Sequence, residues 1–203
     1  RLAVTRGLDP YVPLKDTGIP WLGQVPSHWN VAALRHRYSQ ALGKMLDSGR
    51  ITGVNLLPYL RNTDVQWGSI NTVNLPQMDI AKVEYGRYTL EPGDLLVCEG
   101  GEVGRASIWN SEERIGFQKA LHRLRPIDIR EDVPRFLFYL LQEAVQTEAF
   151  SDGHVSTIAH LTGEKLRAHR FGWPPSGEQK AIADHLSDAT GTSMTAMERA
   201  RRE

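Results

Sequence analysis

The 203-residue sequence has one cysteine, no net charge and no long hydrophobic run, and each absence excludes a class of protein. A single thiol, Cys98, cannot form an internal disulfide framework, which indicates a reducing compartment and predicts a cytoplasmic protein. Without a long apolar stretch there is no candidate membrane span, and residues 1–6 lack the apolar segment of a secretory signal. Basic and acidic residues total 24 each, so the chain is not a uniformly basic polyanion binder.

Motifs for nucleotide, metal or covalent catalysis are missing as well. The sequence contains neither the glycine-rich phosphate loop of ATP-binding proteins nor the His-Glu-x-x-His pattern of zinc helices. Asp94 and Glu99 bracket a predicted strand, as in metal-dependent nucleases, but Gly101 stands where such a site needs a lysine. His154 and His160 have no cysteine or carboxylate at metal-ligand spacing. The sequence therefore predicts no catalytic residue and no metal site.

Positive and negative charges alternate in blocks along the chain. Residues 28–62 contain five basic side chains against one acidic, and residues 105–130 contain six against three, so these blocks carry +4 and +3. The blocks 63–104 and 131–163 carry −5 and −4. Either this is an ordinary mixed surface, or the two basic blocks meet in the fold as one surface that faces an anion.

Prolines, glycines and apolar runs predict a β-rich region after an extended N-terminal segment. Residues 10–30 contain four of the eleven prolines, so they should be extended and rich in turns. Trp21, Leu22 and Trp29 are expected to anchor this segment to the domain, because exposed aromatic surface is costly in water. The run 95–98 is expected to be the most buried strand. The candidate strands are 54–61, 83–90, 94–99, 103–109 and 119–125.

Two helices are predicted towards the C-terminus. Asp132 offers a cap and Pro134 a first-turn proline, and apolar residues follow at helical spacing as far as residue 144. A second helix begins at Ser176, where Ser-x-x-Gln has the pattern of a capping box with Gln179. Its apolar residues form a seam that should seek a partner helix. These seam residues are Ile182, Leu186 and Ala189.

The N-terminal segment carries a long and unusual motif. Residues 14–29 read LKDTGIPWLGQVPSHW. This run resembles the K-D-S-G-x-x-W-[LI]-G-x-[IV]-P-x-H-W opening of target-recognition domains in the specificity subunits of type I restriction–modification systems. It departs from that pattern by a threonine for serine at residue 17, which is a conservative change.

Further matches extend the resemblance over nearly the whole chain. Residues 174–183 read PPSGEQKAIA and are similar to the P-P-x-x-E-Q-x-x-I-A that opens the family's long conserved helix. Residues 92–97 resemble the family's strand before a glycine turn, and residues 117–120 resemble its Asn- or Gln-containing approach to the next strand. Residues 153–157 are similar to its G-x-[ST] stretch, although with an insertion.

The resemblance implies an α+β fold with a globular mixed-sheet target-recognition domain, followed by the start of a long conserved coiled-coil helix. Residues 1–9 would be the tail of a preceding conserved helix, residues 10–175 the recognition domain, and residues 176–203 the beginning of the spacer helix. The chain would be the second half of a specificity subunit or a half-size subunit that dimerises. Removing residues 187–203 should then leave the globular part folded but abolish assembly.

The resemblance also implies a non-catalytic subunit that reads one half of a bipartite duplex DNA target. Its partners would be the methylation and restriction subunits, together with a second recognition domain or a homodimer partner bound through the helix. S-adenosylmethionine, ATP and Mg²⁺ would be bound by the partner subunits, and none by this chain. Two other hypotheses remain open: a protein-interaction module without DNA contact, which the zero net charge favours, and a nuclease or methyltransferase in its own right.

Side-chain chemistry and position in the chain supply the candidate site residues. Arg, Lys, Asn and Gln read base edges, whereas basic and hydroxyl side chains hold phosphates. Polar strand ends are common on any protein surface, so each cluster by itself is a weak signal. The candidate base contacts are Arg61, Asn62, Gln118 and Lys119. The candidate phosphate contacts are Lys44, Arg50, Arg105, Ser156 and Thr157.

Overall fold

Short strands and helices alternate along the residues described by the structure, a computed structural model that covers 2–46, 49, 52–150 and 160–189. The helices are α1 (Leu2–Arg6), α2 (Tyr85–Tyr88), α3 (Pro134–Gln146), α4 (Gly163–Ala168) and α5 (Ser176–Ala189). The strands are β1 (Leu14–Asp16), β2 (Gln24–Pro26), β3 (Asn30–Ala33), β4 (Tyr38–Leu42), β5 (Leu56–Leu60), β6 (Val65–Gln66), β7 (Ser69–Ile70), β8 (Gln77–Asp79), β9 (Leu95–Cys98), β10 (Ala106–Ile108), β11 (Gly116–Phe117), β12 (Leu121–Pro126) and β13 (Arg170–Trp173). The α+β class expected from the sequence is confirmed.

A four-stranded antiparallel sheet in the order β10-β9-β12-β4 lies at the centre of the fold. Every residue of β9 is buried, which confirms the prediction for the run 95–98. Because side chains alternate across a strand, Leu95 and Val97 join the core on one face while Leu96 and Cys98 join a second core on the other. The central sheet is therefore covered on both faces.

A smaller sheet in the order β11-β5-β8 contributes to the second core. Strand β5 is antiparallel to β8 but parallel to β11, with Tyr59 opposite Gly116 and Leu60 opposite Phe117. An added Cβ at Gly116 would come within 2.4 Å of Ile80 Cδ1, so a larger residue there would require the Ile80 side chain to move. Since β5 and β11 run in the same direction, the loops that follow them leave the same edge of the sheet.

Helix α3 begins where the sequence predicts and covers the first core. Pro134 occupies the first turn, and Leu137, Leu140 and Leu141 are wholly buried. The expected cap is wrong, however: Asp132 does not cap the helix, because its carboxylate accepts a 2.9 Å hydrogen bond from Arg37 Nε. The backbone N–H of Val133 donates instead to Gln179 Oε1, at 2.9 Å.

Helix α5 also begins at the predicted residue, but without the predicted capping box. The side chain of Gln179 is buried between loops, where its Nε2 donates to the carbonyls of Glu131 and Pro174 at 3.0 and 2.9 Å. Its amide is fully used by backbone groups of these loops, so it cannot reach back to the helix start. The carbonyl of Pro175 accepts from the N–H groups of Glu178 and Gln179.

The apolar seam of α5 belongs largely to the core of this chain. Ile182 is fully buried in the first core and Leu186 packs against it half-buried, which contradicts an exposed seam at these positions. Ala189 is exposed at the end of α5. The remainder of the predicted spacer helix, residues 190–203, lies outside the described residues.

The N-terminal segment is anchored as predicted. Strands β1 and β2 form a hairpin, Trp29 is fully buried, and Leu22 is 5% exposed while Trp21 packs half-buried beside it. Trp29 Nε1 donates to Glu178 Oε1 at 3.0 Å, and His28 Nε2 lies 2.8 Å from Glu178 Oε2. One carboxylate of α5 thus joins the two motifs that carry the family resemblance.

One predicted strand is wrong. Residues 83–90 form a 3-10 turn (Lys82–Glu84) followed by α2 rather than a strand. The local reason is the Glu84 carboxylate, which accepts from the backbone N–H of Ala81 at 2.9 Å and closes the turn. This contact outweighs the strand preference of the valine and tyrosines in the segment. Among the described residues, no helix has the length and apolar character needed to cross a bilayer.

Candidate nucleic-acid interface

Two predicted clusters meet at the edge where β5 and β11 end. The backbone N–H of Gln118 donates to the carbonyl of Leu60 at 2.9 Å, and so the loops after both strands leave side by side. The loop after β4 joins them, because Lys44 N donates to Phe117 O and Lys119 N donates to Lys44 O, each at 2.9 Å. We call Lys44, Arg61, Asn62, Gln118 and Lys119 the strand-end surface.

The close packing of these loops depends on a glycine at position 43. An added Cβ there would lie 2.3 Å from the carbonyl oxygen of Gln118 and 2.6 Å from that of Phe117. Both neighbours are backbone atoms that cannot rotate away. Gly43 therefore allows the chain leaving β4 to lie directly against the loop that carries Gln118.

A buried carboxylate shapes the loop after β5. Asp64 accepts from the backbone N–H of Arg61 at 2.7 Å and from Arg61 Nε and Nη2 at 2.9 and 2.8 Å. Burial of Asp64 opposes its ionisation, but these hydrogen bonds outweigh it and hold the pKa of Asp64 below its ordinary value. The Arg61 side chain remains 43% exposed, so its guanidinium is held in place at the surface.

The loop after β11 turns sharply at a strained residue. Leu121 N donates to Gln118 O at 3.1 Å, which closes a four-residue turn, and Ala120 has φ +87°. Such a φ at the third turn position is ordinarily filled by glycine. The turn leaves Lys119 exposed and Gln118 half-buried. Neither side chain forms a hydrogen bond or ion pair with any residue in the described ranges.

Asn62 and Arg105 face inwards. Asn62 Nδ2 donates to the carbonyl of Gly100 at 3.1 Å, and its buried Oδ1 has no partner in the described part of the chain. Arg105 Nη2 donates to the Asn62 carbonyl at 3.0 Å, and Nη1 lies 3.5 Å from Glu102 Oε2. With 13% of its side chain exposed, Arg105 supports the Asn62 turn from within.

Lys44 faces α2 at one end of the strand-end surface. Its Nζ lies 2.6 Å from Glu84 Oε2 and 5.6 Å from the centre of the Tyr88 ring. The hydrogen bond from Lys44 holds the pKa of Glu84 below its ordinary value. About a quarter of the Lys44 side chain is exposed, so its charge is shared between this ion pair and the surface.

The two basic blocks of the sequence meet only in part. Lys44 and Arg61 of the first block lie beside Lys119 of the second. Other cations of these blocks form ion pairs with carboxylates of the same chain. Arg125 forms a bidentate ion pair with Asp94, in which Nε and Nη2 donate to the two carboxylate oxygens at 2.7 and 2.8 Å. Asp94 thereby has a structural role as the partner of an arginine, which agrees with rejecting it as a nuclease ligand.

Three of the predicted phosphate contacts, Arg50, Ser156 and Thr157, lie outside the described residues, as does His154. In the described part of the chain, no three His, Cys, Asp or Glu residues are grouped to hold a metal ion. Sequence reasoning missed Arg87, Arg123 and Arg167, which line an open groove beside β4. They come from three elements far apart in sequence, and no local pattern connects them.

One comparison with known proteins identifies a family. The family model described as type I restriction modification DNA specificity domain matches residues 43–202. No curated protein sequence matches the chain significantly.

Several solved structures have a similar fold. A chain from a study of complex assembly and conformational transition of the type I system is 21% identical over 87% of this chain, with a TM-score of 0.62. The HsdS subunit from Thermoanaerobacter tengcongensis is 19% identical over 94%, with a TM-score of 0.63. The S subunit from M. genitalium is 19% identical over 86%, with a TM-score of 0.54. This chain spans 42% to 43% of the length of each.

Proposed function

Since this chain belongs to the type I restriction–modification DNA specificity domain family, which is non-catalytic and recognises DNA sequence, we propose that it reads one half of a bipartite duplex target through the strand-end surface. The observation that carries the proposal is that Gln118 and Lys119, whose side chains have no partner among the described residues, lie beside the partly exposed guanidinium of Arg61. These three residue types offer the hydrogen-bond donors and acceptors that distinguish base pairs in the major groove.

The residues in and beneath the strand-end surface would have different roles, some contacting bases and others positioning the loops or binding phosphate. Gln118 can bind an adenine edge with both ends of its amide, and Arg61 or Lys119 can donate to a guanine. Asn62 would reach a base only by releasing the carbonyl of Gly100, so we assign it to positioning the loop. Lys44 would hold a backbone phosphate, and Arg105 would support the turn beneath Asn62.

We further propose that the chain works as part of a larger assembly. Methylation and restriction subunits would bind S-adenosylmethionine, ATP and Mg²⁺ and carry out the chemistry, and a second recognition domain or a second copy would read the other half-site. A single domain contacts few base pairs, so linking two weak contacts raises the overall affinity. Such an assembly acts in the cytoplasm, and the single buried thiol of Cys98 is compatible with that compartment.

The test is a change in base preference. In the chain assembled with its methylation subunits, Gln118→Ala should relax the preference at one base pair of the selected target, at a cost of about 1–3 kcal/mol. Selection from a randomised duplex library followed by affinity measurement would detect this loss. The control is Gln77→Ala, which removes an exposed glutamine from β8 and should leave the selected sequence unchanged.

Lys44→Gln should act differently, because a phosphate contact carries no sequence information. It should weaken binding to all duplexes alike and make the salt dependence shallower by about one unit. If Gln118→Ala and Lys44→Gln both left binding to the selected duplex intact, the strand-end surface would not be the reading surface.

A further inference from the structure

An open groove of about 540 Å³ runs beside β4, the outer strand of the central sheet. Three arginines line it: Arg87 from α2, Arg123 from β12 and Arg167 from α4. The lining is polar as well as apolar, and Gln40, Gly86 and Gly163 line the groove together with the arginines. Its shape and charge are therefore suited to an extended anion rather than to an apolar ligand.

Arg123 is a largely buried cation that lines the groove. The residue is 7% exposed, and its Nη1 donates to the carbonyls of Gly86 and Thr89 at 3.1 and 2.8 Å. Its Nε has no partner in the described part of the protein. Burial lowers the pKa of Arg123, so the fold holds the charge at an energetic cost. That nitrogen is itself buried, so a ligand in the groove would interact with the charge of the Arg123 guanidinium rather than with its Nε–H.

Arg87 and Arg167 extend this charge to the surface. Both side chains are exposed, and neither pairs with a carboxylate among residues 2–46, 49, 52–150 and 160–189. Arg87 Cζ lies 5.1 Å from the centre of the Tyr88 ring, which limits its range of conformations. The carboxylates near Arg123 in the fold, Glu91 and Asp94, are already paired with Arg125.

The Tyr88 ring connects the groove with the strand-end surface. Lys44 follows β4 by two residues, and its Nζ faces the same Tyr88 ring on which Arg87 stacks. A ligand that contacts both Lys44 and Arg87 would lie next to β4, whose residues 40–42 line the groove together with Arg167. Phosphates of one DNA strand form such a continuous row of negative charge.

We propose that Arg87, Arg123 and Arg167 bind backbone phosphates of the DNA that flanks the bases read at the strand-end surface. This assignment rests on the proposed function. It predicts that the groove contributes affinity and orientation but no base preference, because phosphate contacts are the same for every sequence.

The test uses the full chain assembled with its methylation subunits and the double variant Arg87→Gln with Arg167→Gln. Both residues are exposed, so the variant should fold, and an unchanged thermal melting temperature would verify this. Binding to the selected duplex and to a randomised duplex is measured by fluorescence anisotropy at several KCl concentrations. The salt slope should become shallower by about two, with several-fold weaker binding to both duplexes and the same ratio between them. The matched control is Arg130→Gln with Lys180→Gln, which removes two exposed charges that do not line the groove.

The outcomes separate this proposal from the proposed function. An unchanged slope in the double variant, with Gln118→Ala still altering base preference, would overturn the groove assignment alone. If the double variant lost the difference in affinity between the selected and the randomised duplex, these arginines would contact bases, and the groove assignment would be overturned as well. Calorimetry with inorganic phosphate provides another check: a phosphate site lost in the double variant, with an unchanged DNA slope, would assign the groove to a free anion. Absence of salt-dependent DNA binding by the unaltered complex would overturn both proposals.

Discussion

At the scale of single residues, the strand-end surface is held together by positions whose backbone or burial is unusual. Gly43 permits the segment after β4 to approach the loop that carries Gln118 closely, and Asp64 is buried beneath Arg61. Ala120 has a left-handed backbone where glycine is preferred. Backbone strain of this kind persists only where the surrounding contacts require it, and it occurs often beside binding residues. Ala120 lies within two residues of Gln118.

Replacing Ala120 by glycine should stabilise the protein. Relief of the positive φ is worth about 1–2 kcal/mol, and the greater freedom of glycine in the unfolded chain offsets part of this, so a net gain of about 0.5–1 kcal/mol is expected. Urea unfolding would measure the difference. The control is Ala106→Gly, at a buried strand position without positive φ, which should destabilise. A loss of stability in Ala120→Gly would show that the alanine methyl makes contacts that outweigh the strain.

A second residue makes stability depend on pH. His169 packs among Trp21, Phe150 and Phe171, with ring centres 4.6 to 5.3 Å away, and burial lowers its pKa from 6.5 to about 4. The unfolded chain therefore binds a proton between about pH 6.5 and 4 that the folded chain does not. The stabilisation from neutral His169 is complete above pH 6.5 and is lost as the pH falls towards 4, by about 3 kcal/mol in all.

The variant His169→Phe should remove most of this dependence, because a phenyl ring fills the aromatic cluster and cannot titrate. Urea unfolding near pH 7 and near pH 5 should show a loss of about 2 kcal/mol in the unaltered protein and a clearly smaller one in the variant. Some dependence should remain, since burial also lowers the pKa of His122. Substituting the exposed His36 by glutamine should keep the steeper dependence, and an equally steep profile in His169→Phe would contradict the assignment.

At the scale of secondary-structure elements, the sequence predicted most clearly what is determined locally. Strands β5, β9 and β10 lie within predicted segments and β12 extends one residue beyond its segment, because apolar runs there are bounded by glycine, asparagine or proline. Helix α3 was predicted from its first-turn proline and its apolar spacing. Short strands such as β3 and β13 pair with each other across the chain and have no clear local sequence pattern. The predicted strand at 83–90 failed because one carboxylate, Glu84, closes a turn.

The candidate site was likewise predictable only in those features that are determined locally. Residue types suited to DNA could be selected along the sequence, but whether they meet depends on β5 pairing in parallel with β11, which no local pattern specifies. The same limit explains why Asn62 and Arg105 face inwards, since the carbonyls that bind them belong to Gly100 and to Asn62 itself. Burial and pairing, which decide which polar groups stay free, arise only in the folded chain.

One buried side chain of α5 bonds three backbone groups in the loops before α3 and α5. Gln179 is fully buried and bonds the backbone of Val133, Glu131 and Pro174. Gln179→Ala should cost about 3 kcal/mol or more, because three backbone groups would lose their partner. Gln179→Glu should be no better, since it replaces the donor by a carboxylate facing two carbonyls. Lys180→Ala, at the exposed neighbouring position, should change the free energy of unfolding by less than about 0.5 kcal/mol.

At the scale of the whole molecule, zero net charge is compatible with a DNA-reading surface because the charges are sorted. Acids such as Asp94 and Asp132 are buried partners of arginines, whereas Lys119, Arg87 and Arg167 project without a described carboxylate beside them. The field at the strand-end surface and the groove therefore differs from the average over the chain. A local excess of positive charge on a neutral chain would attract DNA weakly, as expected for a domain proposed to contact one half of a bipartite target.

The C-terminal boundary of the folded core lies within α5. Core residues of the described chain extend from Val4 to Ala183, with Leu186 packed against them and Ser187 Oγ 3.0 Å from Tyr139 OH. Deleting residues 190–203 should therefore leave the melting temperature nearly unchanged, whereas deletion from residue 187 should lower it by removing the Tyr139 contact. If the spacer helix mediates assembly, both deletions should abolish co-purification with the methylation subunits, measured by size-exclusion chromatography. Retained assembly of a folded chain lacking 190–203 would transfer the docking role to the described domain.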